Sequence, residues 1–384
     1  MAALRRRPGR RGLTIVAGGA WLAVAWGLSH WTYGVEDLYA RRVGFWIARA
    51  QSAASGFVPF SLAEFVLLGA VVYLVVPNVR DLARAIRRRR GVPAAGLTAA
   101  ARVAAFAVLT VSLFYLCWGL NYARAPLAAR LGWTPVQPAD AAAAARATDE
   151  IARFAGELVD AANAAYRDVA HSDDLGRPSA RAAGVEGLDT VFDASYARVQ
   201  RTLGLETALA APRGPAKPLL ASGLVSHLQI SGFYFPWTGE ANYNRLVPAV
   251  TLPHTIAHEK AHQRGIARED EANFLGYLAC VMSDDAYVRY SGYLFGQRQL
   301  IGELASRDRP AARALVARRL PGVQRDVDDL VAFWQRYEGE PARMSAAMND
   351  RYLRAQGVRS GIASYAASRN LIVLYGEHFG TVKP

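Results

Sequence analysis

The first third of the chain carries three long apolar runs, at about residues 13–31, 60–76 and 103–120, separated by arginine-bearing stretches. A helix needs about 20 apolar residues to cross the hydrocarbon core of a bilayer, so each run reads as a transmembrane helix. Backbone in lipid must satisfy its hydrogen bonds internally, so a chain with these runs begins as a bundle of spanning helices. The first run follows Arg5, Arg6, Arg7, Arg10 and Arg11, as a signal peptide would. Its length, and Trp21, Trp26 and Trp31 where a small-residue cleavage site would stand, make it an uncleaved anchor.

The chain has 384 residues and a formal net charge of +13, and the position of that charge matters more than its size. Residues 1–121 hold 15 Arg against 4 acidic residues, whereas residues 122–384 hold 30 basic and 28 acidic residues. The excess therefore lies beside the spans and is a topology signal, not a nucleic-acid footprint. Arg80, Arg84 and Arg87 to Arg90 fall on the same side as the N-terminal arginines if the helices alternate. Arg41, Arg42 and Arg49 in the other loop are offset by Glu36 and Asp37. The positive-inside rule then predicts a cytoplasmic N-terminus and an extracytoplasmic domain after residue 121. Residues 35–47, apolar at helical spacing, read as a short interfacial helix. With 2 Cys in the chain there is no disulfide framework and no all-cysteine metal site.

Residues 122–384 read as a mostly helical domain. An alanine-rich helical pattern covers 135–169, a Gly/Pro/Ser-rich loop 172–187, and a second helix Leu188–Leu203. Residues 219–237, interrupted by Gly223 and Gly232, are the best strand candidate and suggest two short strands. After Pro253 the helical pattern returns.

The chemistry-bearing stretch lies there. Residues 258–262 read His-Glu-Lys-Ala-His. One helical turn separates His258 from His262, so both imidazoles can reach one ion while Glu259 beside them takes a proton from water. This is the HExxH pattern. Gly265 allows a turn, and a second helical run follows from Ala267 with two rival third ligands, Glu269 and Glu271. Glu269 shares a face with Asn273 and Gly276, where a small residue permits close packing and Asn273 can orient a ligand histidine. Glu271 lies nearly opposite. The face argument favours Glu269; a solvated surface helix is the bland alternative.

Residues 258–262 resemble the zincin metallopeptidases, and Glu269-Asp270-Glu271-Ala272-Asn273 resembles the later Glu-x-x-Ala-Asp/Asn helix of the branch with a glutamate ligand, the gluzincins. That resemblance implies zinc, a peptidase reaction and Glu269, although other gluzincins use a spacing that selects Glu271. The gap between the two helices is shorter than in the best-known families. Arg268 stands where a metzincin places its third histidine. Four runs also resemble an uncharacterised family of bacterial membrane proteins, a domain of unknown function. They are residues 57–61 (Phe-Val-Pro-Phe-Ser), 118–122 (Trp-Gly-Leu-Asn-Tyr), 235–242 (Phe-Pro-Trp-Thr-Gly-Glu-Ala-Asn) and 258–280. This implies three spans in a bacterial cell membrane and a zincin-like C-terminal domain, with no substrate.

Tyr365, expected in the last helix, is the candidate oxyanion donor, with His378 a weaker rival. His254 reads as a neighbour rather than a fourth ligand, because a closed site holds no water. In zincins a strand before the metal helix pairs with the substrate backbone; residues 233–244, with Glu240, Asn242 and Asn244, would then line the cleft. The expectation is a mainly α protein: a membrane domain at 1–121, then a mostly helical α+β domain at 122–384 with a short β-hairpin or small sheet before the metal helix. Its function would be Zn²⁺-dependent hydrolysis of a peptide or protein. The rival is a catalytically silent or metal-free membrane protein that binds a peptide or scaffolds an envelope partner.

Overall fold

The structure is a computed structural model that describes residues 10–134, 139–169 and 184–384. Arg5, Arg6, Arg7, residues 135–138 and most of the expected 172–187 loop lie outside the described residues. The first third consists of α1 (Arg10–Ser29), α2 (Gly44–Gly56), α3 (Leu62–Arg87) and α4 (Val92–Cys117). A wide helical segment, Gly34–Val43, runs straight into α2, so the expected short helix is longer than its apolar pattern.

Helices α1, α3 and α4 are long and apolar enough to cross a membrane, and their apolar side chains are largely uncovered. They differ from the apolar runs at their ends. Helix α3 continues past Pro77 to Arg87, so Arg80, Arg84 and Arg87 are helical rather than in a loop. Helix α4 starts at Val92 and stops at Cys117. It packs between α1 and α3. Gly18 lets α1 approach, since a Cβ there would stand 2.4 Å from Val108, and the Trp21 indole donates to the Ser112 carbonyl at 2.9 Å. Arg102 of α4 is paired with Asp81 of α3 at 2.9 Å.

The remainder is mainly helical: α5 (Leu127–Arg130), α6 (Ala141–Val169), α7 (Leu188–Leu203), α8 (Ser222–His227), α9 (Leu252–Gln263), α10 (Glu269–Val281), α11 (Ala286–Arg307), α12 (Arg309–Ala317), α13 (Pro321–Gln335), α14 (Glu340–Ala355) and α15 (Ser368–Phe379). A small sheet joins β1 (Lys217–Pro218), β2 (Gly232–Phe235) and β3 (Glu240–Tyr243) in the order β1-β3-β2. Strands β2 and β3 are antiparallel, with Phe233 opposite Asn242 and Tyr234 opposite Ala241, and β1 adds parallel to β3. Residues 219–237 thus hold one strand and not two. The backbone amides of Leu220 and Ala221 are held by the Glu64 carboxylate at 2.9 and 2.8 Å, and α8 starts from that anchor. The hairpin's second strand comes after the turn at Pro236–Gly239.

The sheet lies on α9, α9 on α10, and α10 on α11, which packs along α6. Phe154, Leu158, Phe192, Tyr196, Phe274, Leu278 and Tyr375 fill the shared core. The sheet is tied to the spans through Glu240, which is fully buried. Its carboxylate accepts from the Leu62 and Ala63 amides at 3.0 and 2.9 Å, at the positive end of α3, and pairs with buried Lys217 at 2.5 Å. Arg124 adds a second tie, bridging Glu36 at 3.0 Å and Glu206 at 2.5 Å.

Candidate metal centre and its cleft

Every residue of α9 from Pro253 to Gln263 is buried, although the helix is rich in polar side chains. A helix buried all round is ordinarily apolar, and here most polar groups have assigned partners. The Lys260 ammonium meets Asp189 at 2.7 Å, Arg264 just beyond the helix pairs with Asp193, and Tyr196 donates to the Ala257 carbonyl at 2.6 Å. His258, Glu259 and His262 are left facing a cavity. The bland alternative of a solvated surface helix does not hold, because Glu269 and Glu271 are buried as well.

Gly265, at φ +86°, ends α9 tightly, and α10 begins at Glu269, not at Ala267. A Cβ on Gly276 would stand 3.0 Å from the His258 nitrogen, so this glycine sets the close approach of α10 to α9. The approach brings Glu269 Oε2 to 3.2 Å from His258 Nε2 and 3.3 Å from His262 Nε2. The two Nε2 atoms are 3.0 Å apart. Glu271 points the other way: it accepts from the Leu127 amide at 2.7 Å and faces Arg130 and Arg268 at 3.5 Å each. Of the rival carboxylates, Glu269 joins the histidines and Glu271 does not. Asn273 does not orient either histidine of the cluster: its side-chain amide donates to the Tyr365 carbonyl at 3.1 Å, and its own carbonyl meets the ring of His254 at 3.3 Å.

His262 Nδ1 lies 2.6 Å from the Ile266 carbonyl, which only accepts, so Nδ1 carries a proton and Nε2 is the nitrogen turned inward. Nε2 faces a carboxylate oxygen and another imidazole nitrogen at hydrogen-bond distance, an arrangement that a proton or a metal ion can bridge. Burial lowers the proton affinity of His262, yet Glu269 and Glu259 outweigh it and push the group up to about 9. Burial works to raise Glu269, and the two histidines hold it far below the usual carboxylate range. The cluster therefore favours a cation at its centre. Ligand atoms about 2.0–2.1 Å from a tetrahedral zinc stand about 3.3–3.4 Å apart. The separations of 3.0, 3.2 and 3.3 Å are close to that triangle, and all three side chains line the cavity.

Glu259 lies beside the triangle. Its Oε2 is buried and without a partner, and burial pushes the carboxyl up to about 7 against the pull of the histidines. Gly232, at the start of β2, leaves room for it: a Cβ there would sit 2.8 Å from Glu259 Oε1. Tyr365 lines the same cavity from a short 3₁₀ segment, Gly361–Ala367, rather than from the last helix. Burial, reinforced by Glu269, keeps its phenol protonated far above the ordinary range. His254 is stacked on Phe295 at 3.7 Å, and burial lowers it to about 3. It sits outside the triangle, as does His378, which stacks near Trp133.

The cavity measures about 860 Å³ and runs along β2 to Trp237. Glu240, Asn242 and Asn244 do not line it. Glu240 caps α3, Asn242 bonds within the hairpin, and Asn244 bonds to Ser226 and Ile230. Its opposite walls come from α14, through Ala342, Ala346, Asn349 and Tyr352, and from α4. Trp118, just past α4, donates its indole N–H to the His262 carbonyl at 3.2 Å. The wall residues Tyr352 and Asn349 carry no sequence signal. Trp118 and Tyr122 belong to the 118–122 run singled out above, but that run does not by itself place them against the histidines.

Residues 39–373 match a family described as a protein of unknown function (DUF3810). The chain belongs to that family. No curated protein and no solved structure matches the chain. The match reaches from the wide helix before α2 into α15, so the family unit includes two of the apolar helices together with the whole His-His-Glu centre.

Proposed function

We propose that the protein is a membrane-anchored, zinc-dependent hydrolase, most simply a peptidase. The observation that carries this is the buried triangle of His258 Nε2, His262 Nε2 and Glu269 Oε2, all within 4.8 Å of one another, with an unpartnered Glu259 carboxylate oxygen at its side. The three side chains would hold the ion, which when bound supplies a Lewis acid for a water and a carbonyl. Glu259 accepts the proton of the attacking water and passes it to the departing amine. Tyr365 donates its hydroxyl to the oxygen on which negative charge develops. The free edge of β2 offers backbone groups to an extended peptide, and Gly232 sets that edge directly against Glu259. The arginine-rich end of α3 supports a cytoplasmic side for the α3–α4 turn, and so an extracytoplasmic centre.

The test uses the full chain in detergent. His258→Ala and His262→Ala abolish bound zinc, whereas Glu259→Gln keeps stoichiometric zinc and loses hydrolysis of a mixed peptide library read by mass spectrometry. Stoichiometric zinc in the double histidine variant, or wild-type cleavage by Glu259→Gln, overturns the reading.

A further inference from the structure

The cleft is continuous with a spanning helix. Thr110, Val111, Phe114, Tyr115 and Trp118 all line the cavity that holds His258, Glu259, His262 and Glu269. Their spacing puts them on one face of α4 and its continuation. Thr110 lies about 10 Å back along α4 from Cys117, so the cavity reaches well into an apolar helix. At that level Trp237, from the turn after β2, donates its indole N–H to the Thr110 carbonyl at 3.3 Å. Strand β2 therefore runs from Gly232, against Glu259, to a turn seated on the spanning helix. Gly232 and Trp237 are five residues apart, extended over Gly232–Phe235 for about 10 Å and then turning.

Exposed apolar side chains stand on elements that adjoin the cavity lining. On α14, Met344 and Met348 are 57% and 66% exposed beside the cavity-lining Ser345, Ala346 and Asn349. Leu220, just before α8, and Leu224 within it are 57% and 66% exposed, and the Leu220 amide meets Glu64 at the start of α3. Arg343, Arg351 and Arg354 accompany the methionines on α14, Arg343 paired with Glu340 at 2.6 Å and Arg354 with Asp350 at 2.7 Å. Apolar side chains interleaved with arginines are what a helix lying in a headgroup layer presents.

We propose that this cleft takes the juxtamembrane segment of a membrane-anchored polypeptide. The segment lies along β2 with its anchored end at the Trp237–Thr110 contact and its scissile bond beside Glu259. This rests on the hydrolase reading above and adds where the substrate must be. A bond roughly five residues from the bilayer end of an anchor is reachable, because about five residues span the distance from Trp237 to Gly232.

The full chain is reconstituted in phosphatidylcholine–phosphatidylglycerol vesicles. A sequence cleaved from the peptide library is fused to a single transmembrane helix through flexible spacers of about 3, 6, 12 and 24 residues. Cleavage at the 6-residue spacer, at least tenfold faster than of the untethered peptide at equal bulk concentration, is the expected result. Cleavage that begins only at 12 residues or beyond overturns the proposal. A second measurement does not need activity. Met348→Cys is labelled with bimane, and brominated lipids quench it if the mouth lies at the bilayer. No quenching overturns the membrane placement whatever the hydrolysis assay shows. Quenching without cleavage of any substrate overturns the hydrolase reading, and the proposed substrate falls with it.

Discussion

Replacing Glu269 and Glu271 in turn separates two carboxylates that stand two residues apart on one helix and do unrelated work. On the proposed reading, Glu269→Ala removes one of three protein ligands of the zinc. Losses in the shell beyond the ligands already cost about 10–100-fold in metal affinity, so the direct ligand should cost at least about 100-fold, or about 2.7 kcal/mol. The fold should tolerate it, because the carboxylate's polar neighbours, the two imidazoles and the Tyr365 phenol, can all be neutral without it. Glu271→Ala leaves the triangle intact and strips a buried acceptor from the Leu127 amide and a partner from Arg130. Orphaning a buried charge costs about 3–5 kcal/mol. Glu206 remains 3.1 Å from Arg130, which brings the expected cost to about 2–3 kcal/mol. At roughly 2–4 °C per kcal/mol, that is a drop of roughly 5–10 °C in melting temperature. The assay is paired: zinc affinity by competition with a chromogenic chelator, and a thermal melt of the zinc-free protein in detergent. Zinc lost by Glu271→Ala in a folded protein, with Glu269→Ala still binding at wild-type affinity, would refute the geometric argument.

Three further outcomes follow from packing, linkage and topology. Gly276→Ala should weaken zinc binding by about tenfold through movement of α10, since the new Cβ must displace backbone 3.0 Å away; unchanged affinity in the same chelator assay would show that α10 can shift without opening the triangle. Burial would raise Glu206, but Arg124 and Arg130 hold it down at about 2. A lowered folded-state value stabilises the protein above the unfolded carboxylate range and is lost as pH falls, so the stability gap between wild type and Glu206→Gln should be about 2–3 kcal/mol at pH 7 and narrow from about pH 5 toward pH 2. A gap that stays constant over that range contradicts the ion-pair account. Reporters fused after Arg90 and after Pro384 should report opposite sides of the membrane, the first cytoplasmic; the same side for both would remove a span.

Much of the architecture was readable because apolar runs and helical periodicity report burial directly. Leu188–Leu203 is a helix with the expected ends, and the spacing of His258, His262 and Glu269 placed them on facing surfaces before any coordinates. Gly276 and Glu269 lie on the side of α10 that touches α9, as their shared helical face implies. Other features have no local signature. An apolar face on α4 looks the same in sequence whether it meets lipid, another helix or a cavity, so Thr110 and Phe114 gave no sign of lining the site. The role of Glu240 depends on a contact with residues 62 and 63, far away in the chain. The segment 219–237 misled because its apolar residues fit a strand and a short helix equally well, and the tie to Glu64 decides between them.

The cap that Glu240 places on α3 carries a practical consequence for anyone handling this protein. Cut the chain after residue 121 and the domain that remains loses the amides that hold this carboxylate, while the wall built from Phe114 and Cys117 is torn from Tyr234 and Leu353. The membrane helices are thus not a leash from which an intact soluble domain can be released. Detergent, or the bilayer itself, is as much a requirement for an intact site as the residues that line its cavity.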